Sequence, residues 1–288
     1  MEPREKSVFW SRLRGRFPSH DVPFLPDADQ ESSSQQRHLA LVLAYNGEDF
    51  AGWQVQPGAR TVQGALEDAL GQLCAKSVRV VASGRTDAGV HAWGQVASLV
   101  TDSRLDCPKM LAGLRALLPP EVYPRDLGPV PPGFNARYAA KAKTYVYFVW
   151  PQAGADIFLQ GRLWPLEQNL SEPALREALE LLQGEHDLAA LASAAEVKGS
   201  TVRRILQADL EIEPQGIWRL SFTASGFLRH AVRNLVGMLV QVGQGRLEPS
   251  DLAEMLAAGQ RIYPGPKAPP GGLYLSKVYY RDFEPMGG

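Results

Sequence analysis

Cysteine is scarce in this chain of 288 residues. Cys74 and Cys107 are too few for a disulfide framework and too far apart for a metal knuckle, which suits a reducing compartment. Long apolar runs are missing as well: nothing approaches the roughly 18 residues of a membrane span. The opening stretch, Met1 to Asp21, is charged where an export signal is apolar. These absences predict a folded cytoplasmic protein with no membrane segment. The sequence also lacks a phosphate-cradling glycine loop with lysine, a dinucleotide fingerprint and a metal-ligand cluster, so no cofactor and no metal are expected. Finally, it lacks an excess of positive charge. A net charge of −1 speaks against a nucleic-acid partner if composition is taken alone.

What is present is an ordinary globular composition, 45% hydrophobic and 21% charged, enough for one large core or two medium ones. The charge is unevenly placed. Between Gly133 and Trp150 stand Arg137, Lys141 and Lys143 with no acid, and between Gly216 and Arg233 stand Arg219, Arg229 and Arg233 with none. Acids gather at Glu172, Glu177, Glu180, Glu185, Asp187 and Glu196. Such segregation either builds a basic cleft on a neutral protein or is scattered solvated charge, and both readings stay open at this point.

Residues 1–38 read as a flexible leader: Arg12, Arg14 and Arg16, then Pro18, Pro23 and Pro26, then the polar run Glu31 to Gln36. Its basic half suits weak RNA affinity or a transit peptide, although Glu2 and Glu5 weaken the latter. Folding is expected to begin at Leu39, where an apolar run to Tyr45 predicts a strand entering a turn at Asn46-Gly47. Thr61 then precedes an apolar stripe, Val62, Ala65, Leu66, Ala69, Leu70 and Leu73, at helical spacing, with Thr61 as N-cap. Strands near Val78 to Ser83 and Gln95 to Val100 flank the loop Gly84 to Ala92, and a helix from Pro108 to Leu118 stops at Pro119.

After the proline-rich stretch Pro124 to Pro132 the order recurs. It runs strand Thr144 to Trp150, helix Ser171 to Leu182, strands Val202 to Ile212 and Ile217 to Thr223, and helix Phe227 to Val242. A helix Ser250 to Ala258 and a strand Leu273 to Tyr280 complete an α+β plan of two similar sheet-and-helix halves, 39–140 and 141–283, with a tail at 284–288.

The stretch with the clearest chemistry is Ser83-Gly-Arg-Thr-Asp-Ala-Gly-Val-His91, a carboxylate in a glycine-bounded loop with Arg85 two residues away. Asp87 is either a turn former or an ionised, hydrogen-bonded nucleophile. Here a resemblance becomes specific. Gly84-Arg-Thr-Asp-Ala-Gly-Val-His91 is similar to the signature of the TruA family of transfer RNA pseudouridine synthases. Further segments resemble the family in its order: Tyr45-Asn-Gly with Phe50-Ala-Gly-Trp-Gln54, Thr61-Val-Gln-Gly64, Phe134-Asn-Ala-Arg137, Tyr145-Val-Tyr147, Phe227-Leu-Arg-His-Ala-Val-Arg-Asn234 and Gly272-Leu-Tyr-Leu275. Together they span 39–283.

The resemblance implies the pseudouridine synthase fold, with a central, mostly antiparallel sheet, and an isomerase that acts on uridines 38, 39 and 40 of the transfer RNA anticodon arm as a homodimer. It implies that Asp87 attacks the uridine or its ribose while the glycosidic bond breaks. Tyr145 then packs on the target base, and Arg233 pairs with the aspartate. Arg85 helps displace the base, a role that suits a guanidinium filling the stack. Leu273 or Leu275 walls the base. His91 closes the signature, in loop packing or in RNA contact. RNA-binding candidates are Arg137, Lys141, Lys143, Arg203 and Arg229. Arg229 and Arg233, four apart on one predicted helix, would share a face there. Departures from the family pattern fall at Asn135, Arg229 and His186-Asp-Leu188. Two other readings are carried: an RNA-binding protein of the same fold without catalysis, and a glycoside or nucleoside hydrolase, which usually needs a second carboxylate.

Overall fold

The computed structural model describes residues 19–25, 36–151, 157–192, 199–263 and 265–282. Arg12, Arg14, Arg16, most of the polar run after Glu31, Glu196 and the expected tail lie outside them. Ten strands form one sheet: β1 (Arg37–Tyr45), β2 (Val80–Ala82), β3 (His91–Thr101), β4 (Val122–Pro129), β5 (Ala142–Pro151), β6 (Trp164–Leu166), β7 (Gly184–Asp187), β8 (Val202–Ile212), β9 (Trp218–Ala224) and β10 (Leu273–Tyr279). Among the described residues five α-helices accompany it: α1 (Val62–Cys74), α2 (Cys107–Leu117), α3 (Glu172–Leu181), α4 (Ala231–Gly243) and α5 (Pro249–Ala258). The α+β class and the mostly antiparallel sheet are as expected.

The strand order is β4-β1-β3-β10-β5-β9-β8-β7, with β2 on β3 and β6 on β5. The last strand therefore lies in the middle. β10 pairs in parallel with β3, Tyr274 opposite His91, and antiparallel with β5, Leu275 opposite Tyr145. The two expected halves share this one sheet. On one face the helices pack a large core that includes Leu39, Leu41, Leu66, Met110, Tyr147, Leu235 and Leu252. On the other face a smaller aromatic cluster joins Phe148, Tyr274, Val146 and Leu163, with Trp93 against it.

Local rules place most boundaries. Thr61 caps α1 by accepting from the Gly64 amide at 3.2 Å, as expected, and Ser171 does the same for α3 through Ala174. Two expectations need correction. The proline-rich stretch contains strand β4, since Pro124 and Pro129 sit on the sheet's edge, where a missing N–H costs no ladder bond. The helix expected from Phe227 begins only at Ala231, because His230 takes a left-handed conformation (φ 65°) at the N-cap. Part of the expected leader also has defined contacts: Val22 is buried, Leu25 donates to the Pro129 carbonyl at 2.8 Å, and Asp21 accepts from the Tyr280 amide at 3.1 Å.

Candidate active site

Asp87 stands on the loop between β2 and β3, and the loop's shape follows from its neighbours' lack of side chains. Gly52 adopts φ +98°, and a Cβ there would lie 2.7 Å from the Thr86 carbonyl oxygen. That carbonyl accepts from the Trp53 amide at 3.1 Å, so the turn at 50–53 and the Asp87 loop are joined backbone to backbone. Gly89 donates to the Phe50 carbonyl at 3.3 Å, and Val90 to the carbonyl of Asp87 at 3.1 Å.

A buried polar network supports the loop from below. Gln95 donates to the Gly84 carbonyl at 2.8 Å and accepts from the Ser83 hydroxyl at 2.7 Å. Tyr45 and Thr86 share a hydroxyl contact of 2.8 Å. Burial pushes the Tyr45 phenol up to about 12, so it stays a neutral bridge. Lys143 donates to the Ser83 carbonyl at 2.6 Å. Burial first, then Arg137 and Arg203, brings its ammonium down to about 8.

Opposite the loop, the start of α4 supplies positive charge. Arg233 Nη1 donates to Asp87 Oδ2 at 3.4 Å while its Nε donates to the Ala268 carbonyl at 2.7 Å. The Ala268 amide returns a bond to the Arg233 carbonyl at 3.1 Å. The guanidinium is thus held at two points, and its residue is 8% exposed. His230 Nε2 lies 3.5 Å from Asp87 Oδ2, and Arg229 Nε 4.0 Å from Oδ1. Asp87 itself keeps 22% of its side chain exposed, open to a substrate on one side and facing three basic groups on the other. Arg229 and Arg233 both reach it, but not from one helical face, since Arg229 precedes the helix.

Tyr145, on β5, is buried with its ring edge-on to Phe227 at 5.3 Å between centroids. Burial, with Tyr45 and Asp87 adding to it, raises its phenol well above the usual value, so the hydroxyl remains protonated at neutral pH. The arrangement suits attack by a carboxylate with a proton-bearing phenol nearby. Among the described residues, no group of three or more His, Cys, Asp or Glu is placed to hold a metal ion, and no helix is long and apolar enough to cross a membrane.

The profile of the tRNA pseudouridine synthase family matches residues 41–139 and 178–281. The chain is 40% identical to tRNA pseudouridine synthase A of Geobacillus kaustophilus over 85% of its own length and 95% of that protein's. It is 39% identical to the Geobacter sulfurreducens protein of the same name, covering 85% of this chain and all of the other. The chain belongs to the tRNA pseudouridine synthase family. It is thereby assigned to an enzyme family of isomerases.

Within this family member the positions expected from sequence divide into three groups. Asp87, Arg233 and Arg229 converge, and Tyr145 stands close enough for the Asp87 charge to act on its phenol. Arg85, on the loop, is exposed, as are Arg137 and Lys141, while Arg203 is half-buried, donating to the Ser200 carbonyl at 2.8 Å. The third group faces inward. His91 is 2% exposed, its Nδ1 accepting from the Gly47 amide at 3.1 Å and its Nε2 donating to the Gly161 carbonyl at 3.0 Å. Its surroundings are those of loop packing rather than RNA contact. Leu273 and Leu275 are 4% and 0% exposed and pair with Tyr147 and Tyr145 across the sheet, so any wall they form is built from their edges. Glu48, the acid nearest in the turn motif, is engaged with Arg162 at 2.9 Å. Missed from sequence were His230 and Gln95. His230 lay inside a quoted motif, but nothing in its spacing announced a contact with Asp87, while Thr86, expected to support Asp87, contacts the Tyr45 hydroxyl at 2.8 Å.

Proposed function

We propose that this chain converts uridine to pseudouridine at positions 38, 39 and 40 in the anticodon arm of transfer RNA, with Asp87 as the nucleophile. In the reaction Asp87 bonds to the flipped nucleotide at its base or ribose, the C1′–N1 bond breaks, the uracil turns, C5 bonds to C1′, and the bond to Asp87 breaks to free the carboxylate. N1 gains a proton and C5 loses one, so the product is an isomer and no outside reductant, oxidant or energy source enters. Arg233 donates to the carboxylate and aims it. Tyr145 packs on the base and its protonated phenol is available for proton movement. Arg85 occupies the gap left in the stack. The same reading makes the protein a cytoplasmic homodimer.

One observation carries the reading: Arg233 meets Asp87 at 3.4 Å although 146 residues separate them, beside a phenol from a third element. The test is release of tritium from C5 of labelled uridine in transfer RNA, because forming the C5 link must expel that hydrogen. Wild type should release it and Asp87→Asn should not. Release by neither, with transfer RNA still bound, would instead favour an RNA-binding protein that has kept the fold without the chemistry.

A further inference from the structure

The most exposed large apolar side chain among the described residues is Tyr138, at 80%. It is not on a loose loop. The Asn135 side chain accepts from the amides of Arg137 and Tyr138 at 3.0 and 3.2 Å, closing a tight turn. Ala136 is fully buried: its amide donates to the Ser98 hydroxyl at 3.1 Å, and its carbonyl accepts from the Tyr280 hydroxyl at 2.9 Å. Phe134 packs on the Tyr280 ring at 5.1 Å, and the Lys141 amide donates to the Tyr279 carbonyl at 2.8 Å. The turn is anchored on both sides and holds an aromatic ring out into solvent.

Its surroundings are cationic. The Arg137 guanidinium sits 5.7 Å from the Tyr138 ring centre, Lys141 is exposed, and residues 131–143 include no carboxylate. Arg137 and Arg203 are close enough to act on the Lys143 ammonium, which touches the Ser83 carbonyl four residues before Asp87. An exposed ring beside free positive charge is the pairing that single-stranded nucleic acid meets on its binding proteins: the ring takes a base and the cations take phosphates. A protein partner drawn by charge would have to be acidic, and the ring would then add little selectivity.

We propose that Tyr138, flanked by Arg137, is a stacking platform for an unpaired base of the RNA strand that leads to the Asp87 loop. The proposal rests on the transfer RNA reading above and extends it to a second nucleotide, outside the reacting one. Rigid display lowers the ordering cost of stacking, because the protein side is already fixed.

The experiment uses the full chain and an unmodified transfer RNA transcript. Tyr138→Ala should raise both Kd and KM by about tenfold with kcat unchanged. Tyr138→Phe and Tyr138→Trp should restore wild-type values, and Tyr138→Leu should not. In a salt titration Tyr138→Ala should leave the slope of log Kd against log salt unchanged, whereas Arg137→Ala should reduce it by roughly one contact. Values for Tyr138→Ala within twofold of wild type, or full rescue by leucine, would overturn the platform. So would a loss of affinity that follows a change in sedimentation mass, since that would place Tyr138 in a protein contact. A wild type that binds the transcript but releases no tritium would strike the proposed reaction, and the binding measurements would still decide the platform.

Discussion

Asp87 and His91 share one octapeptide and have opposite surroundings. Asp87 is partly open and faces Arg233, His230 and Arg229. His91 is enclosed, stacked on Tyr274 at 4.6 Å between ring centres, with both ring nitrogens committed to backbone. Burial, then Arg162, lowers the His91 pKa from 6.5 to about 4. Between those values the unfolded chain binds more protons than the folded one, so stability falls as pH drops from about 6.5 toward 4 and is flat above. The total is on the order of 3 kcal/mol. Urea midpoints measured across that window should fall for wild type and stay flatter for His91→Asn, which keeps polarity without a titrating proton. Parallel curves would show that another group governs the acid limb. At this scale the sequence exposed the chemistry of Asp87, because glycines around a lone acid beside an arginine are legible in one line of text. It did not expose burial: His91, Leu273 and Leu275, read there as substrate contacts, are all buried.

Elements were legible wherever one local rule acts alone. The Thr61 cap and the alternating run of β8 needed no distant partner, and β8 lies at Val202–Ile212 as read. Strand β4 failed that test because its prolines are tolerated only at an edge, and an edge is a property of the whole sheet. The start of α4 failed because a left-handed histidine is held by tertiary contacts, not by propensity. The loop that carries Asp87 is likewise shaped by another element. Gly52 should therefore be intolerant. Gly52→Ala combines a left-handed strain with a Cβ 2.7 Å from the Thr86 carbonyl oxygen, so the carbonyl and the loop must move. Gly58, at φ +70° with open space around it, supplies the control. Gly58→Ala should cost about 1 kcal/mol and leave tritium release intact. Gly52→Ala should cost more than twice that in urea unfolding and lower the rate of release as well. Equal losses in the two variants would mean that the Thr86 contact does not shape the site.

Across the molecule, the two expected halves lie side by side in one continuous sheet, β4-β1-β3 from before residue 140 and β10-β5-β9-β8-β7 from after it. β10 comes from the end of the chain and inserts between β3 and β5, pairing Tyr274 and Leu275 with His91 and Ala92 on one side and with Val146 and Tyr145 on the other. The segment leading into it also positions the site, since Ala268 holds Arg233 and Pro269 accepts from Tyr147 at 2.8 Å. Removing that strand would leave two open edges in the centre of the sheet and untether the segment whose Ala268 holds Arg233. The two halves should for this reason unfold together. Far-UV circular dichroism reports the sheet and helices, while tryptophan fluorescence reports Trp53 and Trp93 before the boundary and Trp150, Trp164 and Trp218 after it. In urea the two signals should trace a single coincident transition, and a chain ending at 272 should give neither that transition nor tritium release. Two separated transitions would show instead that each half holds its own core, and that Arg233 reaches Asp87 by docking of finished units rather than by completion of one sheet.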